Sequence, residues 1–141
     1  HHRVMGKLGL RLRDASRSGV YRVTRSDEVV EAARETGLRL EIVRFAAKPA
    51  LLRNIAAALA FPDWFGQNWD ALEDCLTDLS WSSAAGHVLL FDGARVGDDF
   101  AVLVDVLTSS AEHWASRGKP FFAAFIDATA ALPLPELFRQ T

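Results

Sequence analysis

The alternation of apolar and polar positions divides the chain into short elements of two kinds. Val20-Tyr21-Arg22-Val23 is a short strand candidate. Ser26 is placed to cap a helix that starts near Asp27, where Asp27 and Glu28 suit the positive end of the helix dipole. Val29, Val30, Ala32 and Ala33 give this helix an apolar side, and Gly37 stops it. From Leu38 to Phe45 the period changes to two, with Leu38, Leu40 and Ile42 set against Arg39, Glu41 and Val43. That is a strand with two unlike faces. Pro49 opens the next helix, in which Leu51, Leu52, Ile55, Ala58 and Leu59 recur at helical spacing until Phe61-Pro62. Gly66 marks a turn after Trp64-Phe65 and reads as the residue supplying a backbone angle that a side chain resists. A third helix runs from Asn68, its cap, to about Leu79, with Leu72, Cys75, Leu76 and Leu79 on its buried side. Val88-Leu89-Leu90-Phe91 is all apolar, as expected of a strand covered on both faces. Asp98-Asp99 starts a long helix striped by Phe100, Leu103, Val104, Leu107, Ala111 and Trp114 and ended by Gly118. Pro120 to Ile126 is a last buried strand.

Strands alternate with helices and no hairpin signal joins them. This predicts an α/β fold, a small mainly parallel sheet of three or four strands packed with helices through crossover connections. Residues 1–19 read as a mobile basic arm, because the stretch is rich in Arg and Gly and only weakly periodic. Residues 20–37 are an additional strand–helix segment, 38–127 the main domain, and 128–141 a tail carrying Pro133 and Pro135. A length of 141 residues with 50% apolar and 24% charged residues suits one domain with a real core. The single cysteine, Cys75, excludes an internal disulfide framework and suggests a reducing compartment. The start, His1-His2-Arg3-Val4-Met5, has no apolar run of the signal-peptide kind. Met5 reads as the natural start, with His1 to Val4 left over from a tag.

Charge adds a functional hint. Residues 1–40 carry nine Lys/Arg against five Asp/Glu, whereas residues 41–141 carry seven against thirteen. The densest acidic stretch is Phe61 to Trp81, FPDWFGQNWDALEDCLTDLSW, with Asp63, Asp70, Glu73, Asp74 and Asp78 and no basic residue. Asp70, Asp74 and Asp78 are spaced i, i+4, i+8 and so line one helix face, flanked by Glu73. Like charges at that spacing repel by about 0.2–0.5 kcal/mol per pair. A cation or a basic partner meeting the face relieves this, and plain solubility is the other account. Trp64, in the loop, is the ring expected to be exposed beside the acids and to serve as an anchor. Phe61, Phe65 and Trp69 are expected to be structural, and Cys75 to be a packing residue.

The same run, with its Phe-Pro, aromatic-aromatic-Gly, Asn-x-Asp-Ala-Leu and Asp-Cys-Leu-Thr strings, resembles the barstar-like inhibitors of ribonuclease (barnase). The similarity extends more weakly over about residues 38–127, in the order of strands and helices. The resemblance implies a barstar-like fold and a protein, not an enzyme, that binds a basic extracellular-type ribonuclease or nuclease toxin one-to-one. It implies that Asp74 enters the nuclease active site at a substrate-phosphate position, with Asp70 a second inhibitory aspartate one turn earlier. Trp64 stands for a loop tyrosine that packs on the nuclease. Gly66 and Asn68 belong to the same binding loop, and Thr77 matches a threonine at the end of the binding helix. Three positions depart from the family pattern: Glu73 replaces a tryptophan, Asp78 a glycine, and Gly86-His87 a Tyr-Pro pair. A further partner-facing glutamate corresponds to His113, or to Glu112 with a shift of one residue. Occlusion of this kind needs no cofactor and no metal. The expected inhibitor is cytoplasmic, has no direct contact with nucleic acid or membrane, and is a monomer when free.

Other classes compete on the residues alone. Asp70, Glu73 and Asp74 offer oxygen ligands for Mg²⁺ or Ca²⁺, and Asp74 with Asp78 offers a pair of catalytic acids. Asp92 and Asp127 follow apolar strands, where parallel sheets often place function. Histidines at 1, 2, 87 and 113 are scattered, and no zinc spacing or phosphate loop is present. A noninhibitory interaction module using the same acidic face, and RNA binding by the basic arm, complete the alternatives.

Overall fold

The computed structural model describes residues 6–138. The expectations for the His1-His2 pair and for Met5 lie outside them. Among the described residues five α-helices, a short 3-10 helix (Ala15–Arg17) and four strands follow one another, with two helices in succession between the second and third strands: α1 (Lys7–Arg13), β1 (Gly19–Val23), α2 (Asp27–Thr36), β2 (Arg39–Arg44), α3 (Lys48–Ala58), α4 (Trp69–Leu76), β3 (His87–Asp92), α5 (Asp98–Ala115) and β4 (Phe121–Ile126). The strands form one sheet in the order β1-β4-β3-β2, with all three pairings parallel. The additional strand of residues 20–37 thus joins the sheet at the edge beside β4, and its helix covers one face.

Two apolar clusters lie on opposite faces of the sheet. Leu89, Phe91, Phe121, Ala123 and Phe125 meet α3, α4 and α5 on one face. Val88, Leu90, Phe122 and Ala124 meet α1 and α2 on the other. Successive residues of β3 and β4 point to alternate faces and both faces are covered. The runs VLLF and FFAAF are therefore fully buried. Each of Phe91, Phe121, Phe122 and Phe125 contributes on the order of 2–3 kcal/mol of hydrophobic stabilisation.

Several local expectations need correction. The stretch read as a loop-like arm contains α1, held by buried Leu8 and Leu12 one turn apart. Ser26 sits at the start of α2 in a right-handed helical conformation, and its side chain makes no capping bond. Gly37 does end α2, in the left-handed region at φ 74°. In β2 the deeply buried side chain is Val43, while Ile42 is 58% exposed because β2 is an edge strand. The proline-containing tail is not idle. Leu132 and Leu137 are buried, and the segment around Pro135 hydrogen-bonds to β1.

Candidate functional site

The segment between α3 and α4 is built on an aromatic cluster. Phe61 packs edge-on against Phe65 at 5.0 Å and against Trp81 at 5.8 Å. Trp81 is anchored by its indole N–H, which donates to the Leu59 carbonyl at 2.9 Å. Phe65 closes a turn by donating its N–H to the Pro62 carbonyl at 3.1 Å. Trp64 caps this cluster from outside, edge-on to Trp81 at 6.4 Å and 63% exposed. The cluster fixes the loop and presents one ring to solvent. Phe61, Phe65 and Trp69 pack against the main core as expected.

Asn68 then starts α4. Its side-chain oxygen accepts the Ala71 N–H at 2.7 Å, satisfying one of the unpaired donors of the first turn. Its amide donates back to the Gly66 carbonyl at 3.3 Å. Two residues of this segment are left-handed, Ala60 at φ 54° and Gln67 at φ 53°, and Gly66 is not one of them. A Cβ at Gly66 would meet Asn68 and Ala71 only at ordinary contact distances of 3.4 and 3.6 Å. Nothing in the structure requires glycine there. The sequence does not reveal Gln67, because the adjacent glycine attracts the turn assignment.

Helix α4 is amphipathic over its whole length. Leu72, Cys75 and Leu76 are fully buried, while Asp70, Glu73 and Asp74 are exposed on the opposite side. The helix ends earlier than its periodicity suggests. The Thr77 hydroxyl donates to the Glu73 carbonyl at 2.8 Å, and Leu79 turns the chain at φ 48°. Asp78 therefore lies beyond the helix and does not extend the line of Asp70 and Asp74. Burial, reinforced by the nearby Asp78 and Asp74 carboxylates, pushes the Cys75 thiol pKa up, which suits packing and not reactivity.

Helix α5 secures the far end of α4. The Trp114 indole N–H donates to the Leu76 carbonyl at 2.7 Å, satisfying a group that α4 itself leaves unpaired. His113 is brought against Thr77. Burial and then the Arg117 charge lower its pKa, partly offset by a backbone hydrogen bond with Thr77. Arg117, which sequence reasoning did not single out, lies with Nη1 3.2 Å from His113 Nδ1. Glu112 is exposed one position earlier.

The structure thus gathers Trp64, Gly66, Asn68, Asp70, Glu73, Asp74, Thr77 and His113 along one loop–helix unit and its α5 support. None of the five acids from Asp63 to Asp78 forms an ion pair among the described residues. No three His, Cys, Asp or Glu side chains among those residues are placed to hold a metal ion, so the geometry gives the carboxylate–metal reading of Asp70, Glu73 and Asp74 no support. Asp92 and Asp127 have structural partners. Asp92 pairs with Arg44 at 3.1 Å. Asp127 accepts the Leu132 N–H at 2.8 Å; burial raises its pKa, but hydrogen bonds from Leu132, Ala131 and Thr129 outweigh that and leave it lowered.

A family model described as Barstar (barnase inhibitor) matches residues 36–126, which contain the whole loop–helix unit. The chain belongs to the barstar family. Membership supports a ribonuclease-inhibitor role in general, directed at a ribonuclease-type partner, and a non-catalytic one. The match begins at the last residue of α2 and ends with β4, so α1, β1 and the tail fall outside it. No curated protein matches the chain. No helix among the described residues is long and apolar enough to cross a membrane.

Proposed function

We propose that this barstar-family protein binds a basic ribonuclease one-to-one and plugs its active site with α4 and the loop before it. The observation that carries the reading is the set Asp70, Glu73 and Asp74, exposed and free of ion pairs among the described residues, on a helix whose other side is fully buried. A ribonuclease pocket holds cations that receive phosphate. Carboxylates presented on a fixed helix take the place of that phosphate, and Trp64 supplies an apolar contact beside them. Little backbone order remains to be acquired on binding, because the Asn68 cap and the aromatic cluster already hold the unit. Opposite charge also speeds encounter.

Asp74 is assigned the phosphate position and Asp70 the neighbouring cation. Glu73, where the family has tryptophan, replaces a ring contact by a carboxylate and tunes which nuclease is accepted. Thr77 and His113 border the far end. No cofactor or metal takes part, and the protein acts inside the cell that makes it.

The test is a titration of the purified protein into a basic microbial ribonuclease, or a nuclease toxin encoded beside it, while RNA cleavage is followed. Inhibition complete at one equivalent supports the proposal. Tight binding with RNA cleavage unaffected would replace it with a noninhibitory interaction module on the same face.

A further inference from the structure

The two edges of the sheet are treated differently. At the β1 edge the tail supplies a partner: the Arg22 N–H donates to the Pro135 carbonyl at 2.8 Å, and the Leu137 N–H to the Arg22 carbonyl at 3.0 Å. At the β2 edge no strand or segment pairs, among the described residues. Arg39 and Phe45 donate their N–H groups to Gly86 and Asp92, at 3.0 and 2.8 Å. Backbone groups alternate in direction along a strand, so residues 39, 41, 43 and 45 point to β3 and residues 38, 40, 42 and 44 point outward. The Arg44 carbonyl is already taken by the Asn54 side chain at 2.9 Å. That leaves Leu38, Leu40 and Ile42 as the open set, with Ile42 58% exposed. An open groove of about 390 Å³ runs between this edge and Asn54, Ala57 and Ala58 of α3. Bare edges of this kind template further strand pairing.

We propose that the occupant is a second copy of this chain, joined along β2 by a two-fold axis through Leu40. An antiparallel copy reads Leu38-Arg39-Leu40-Glu41-Ile42 against itself. With Leu40 on the axis, Leu40 faces Leu40 of the second copy, and Leu38 and Ile42 face each other twice. All three open residues then exchange N–H···O bonds, and their apolar side chains pair. Within one copy Arg39 already donates to Glu41 at 2.9 Å and to the Ala58 carbonyl at 3.2 Å. The same register sets it opposite Glu41 of the second copy in both directions, so the two intrachain pairs merge into one four-charge network across the seam. Moving the axis to Glu41 puts Glu41 against Glu41. Moving it to Ile42 brings in the occupied Arg44 carbonyl and sets Glu41 against Val43. Only the Leu40 register satisfies both the hydrogen bonds and the charges. The product is a continuous eight-stranded sheet, antiparallel at its seam, in place of the free monomer expected from the resemblance. The seam shares no residue with α4, so each copy keeps its acidic face.

Sedimentation of the purified protein should show a concentration-dependent dimer. Arg39→Glu turns this network repulsive, both within each copy and across the seam, and should raise the dimer dissociation constant about ten-fold or more. The double change Arg39→Glu with Glu41→Arg restores the complementarity and should restore the dimer. Circular dichroism and melting temperature identify a variant that fails to fold. Leu40→Cys places two cysteines on the axis at about 5.5 Å between Cα atoms and should cross-link under mild oxidation, whereas Ile42→Cys should not. Cys75 is buried and does not compete. A parent protein that is monomeric at high micromolar concentration overturns the proposal. So does cross-linking through Ile42→Cys and not Leu40→Cys, or a folded charge-swap variant that stays monomeric while Arg39→Glu does too.

Discussion

His87 opens β3 in a buried position, 6% exposed, with Nε2 3.0 Å from the Ser82 hydroxyl oxygen. Burial, and after it the charges of Arg39 and Lys119, push its pKa from 6.5 down to about 4. In the unfolded chain the imidazole returns to about 6.5. Above that pH it is neutral in both states, and its contribution to stability is fully retained. As the pH falls below 6.5, the unfolded chain takes up a proton that the folded chain refuses, so stability falls until both are protonated below about pH 4. At 1.36 kcal/mol per pH unit the whole effect is roughly 3 kcal/mol, of which about 2 kcal/mol has been lost by pH 5. The assay is urea unfolding of the parent and of His87→Gln at pH 7 and pH 5. Packing differences between parent and variant act equally at both pH values, so the readout is the change between the two. The parent should lose about 2 kcal/mol more than the variant. Titration of every other group, His113 included, cancels in that comparison. Equal losses in the two proteins would refute the reasoning and show that the imidazole accepts its proton without unfolding.

Two further predictions concern the loop–helix unit. Asn68→Ala removes the oxygen that accepts the Ala71 N–H and should cost about 1 kcal/mol, lowering the melting temperature by about 3–5 °C, while Asn68→Asp keeps the acceptor and should melt close to the parent. Equal melting temperatures for all three proteins would show that the cap contributes nothing. Trp64→Ala should change stability by less than about 1 kcal/mol, since the ring is mostly exposed and touches Trp81 by its edge, yet should weaken nuclease binding in a calorimetric titration. A large loss of stability with binding unchanged would make Trp64 a structural residue.

The elements legible in the sequence are those whose burial is complete. VLLF and FFAAF announce strands covered on both faces, and the apolar stripe of α5 announces a long helix against the sheet. Helix α1 is not legible, because Leu8, Leu10 and Leu12 alternate with Gly and Arg at a period of two, the strand pattern, whereas only Leu8 and Leu12 are buried, against α2. The end of α4 is hidden for a different reason. Apolar spacing continues through Leu79, and no Gly or Pro interrupts it, but Thr77 closes the helix with its hydroxyl and Leu79 takes a left-handed conformation. Asp78 drops off the acidic face as a result. The tail's role as a cover for β1 is a matter of backbone bonding, which prolines and scattered leucines do not advertise. The candidate site is legible as a unit, because an acidic run opposite a Leu-Leu stripe and beside an unusual density of tryptophan is both a folding pattern and a binding pattern.

On the proposed function, the carboxylates on α4 meet cations in a nuclease. The most direct measurement is the affinity of the parent, Asp74→Ala, Asp70→Ala and Asp105→Ala for the nuclease the protein inhibits. Asp105 is an exposed acid on α5, outside the unit, and serves as the charge control. Asp74→Ala should be the most damaging change and Asp70→Ala the next, each costing about 2 kcal/mol or more, because each leaves a desolvated cation of the partner unpaired. Asp105→Ala should bind like the parent, and all four proteins should melt alike. Retention of full affinity by both α4 variants would contradict the account and move the nuclease contact elsewhere on the molecule.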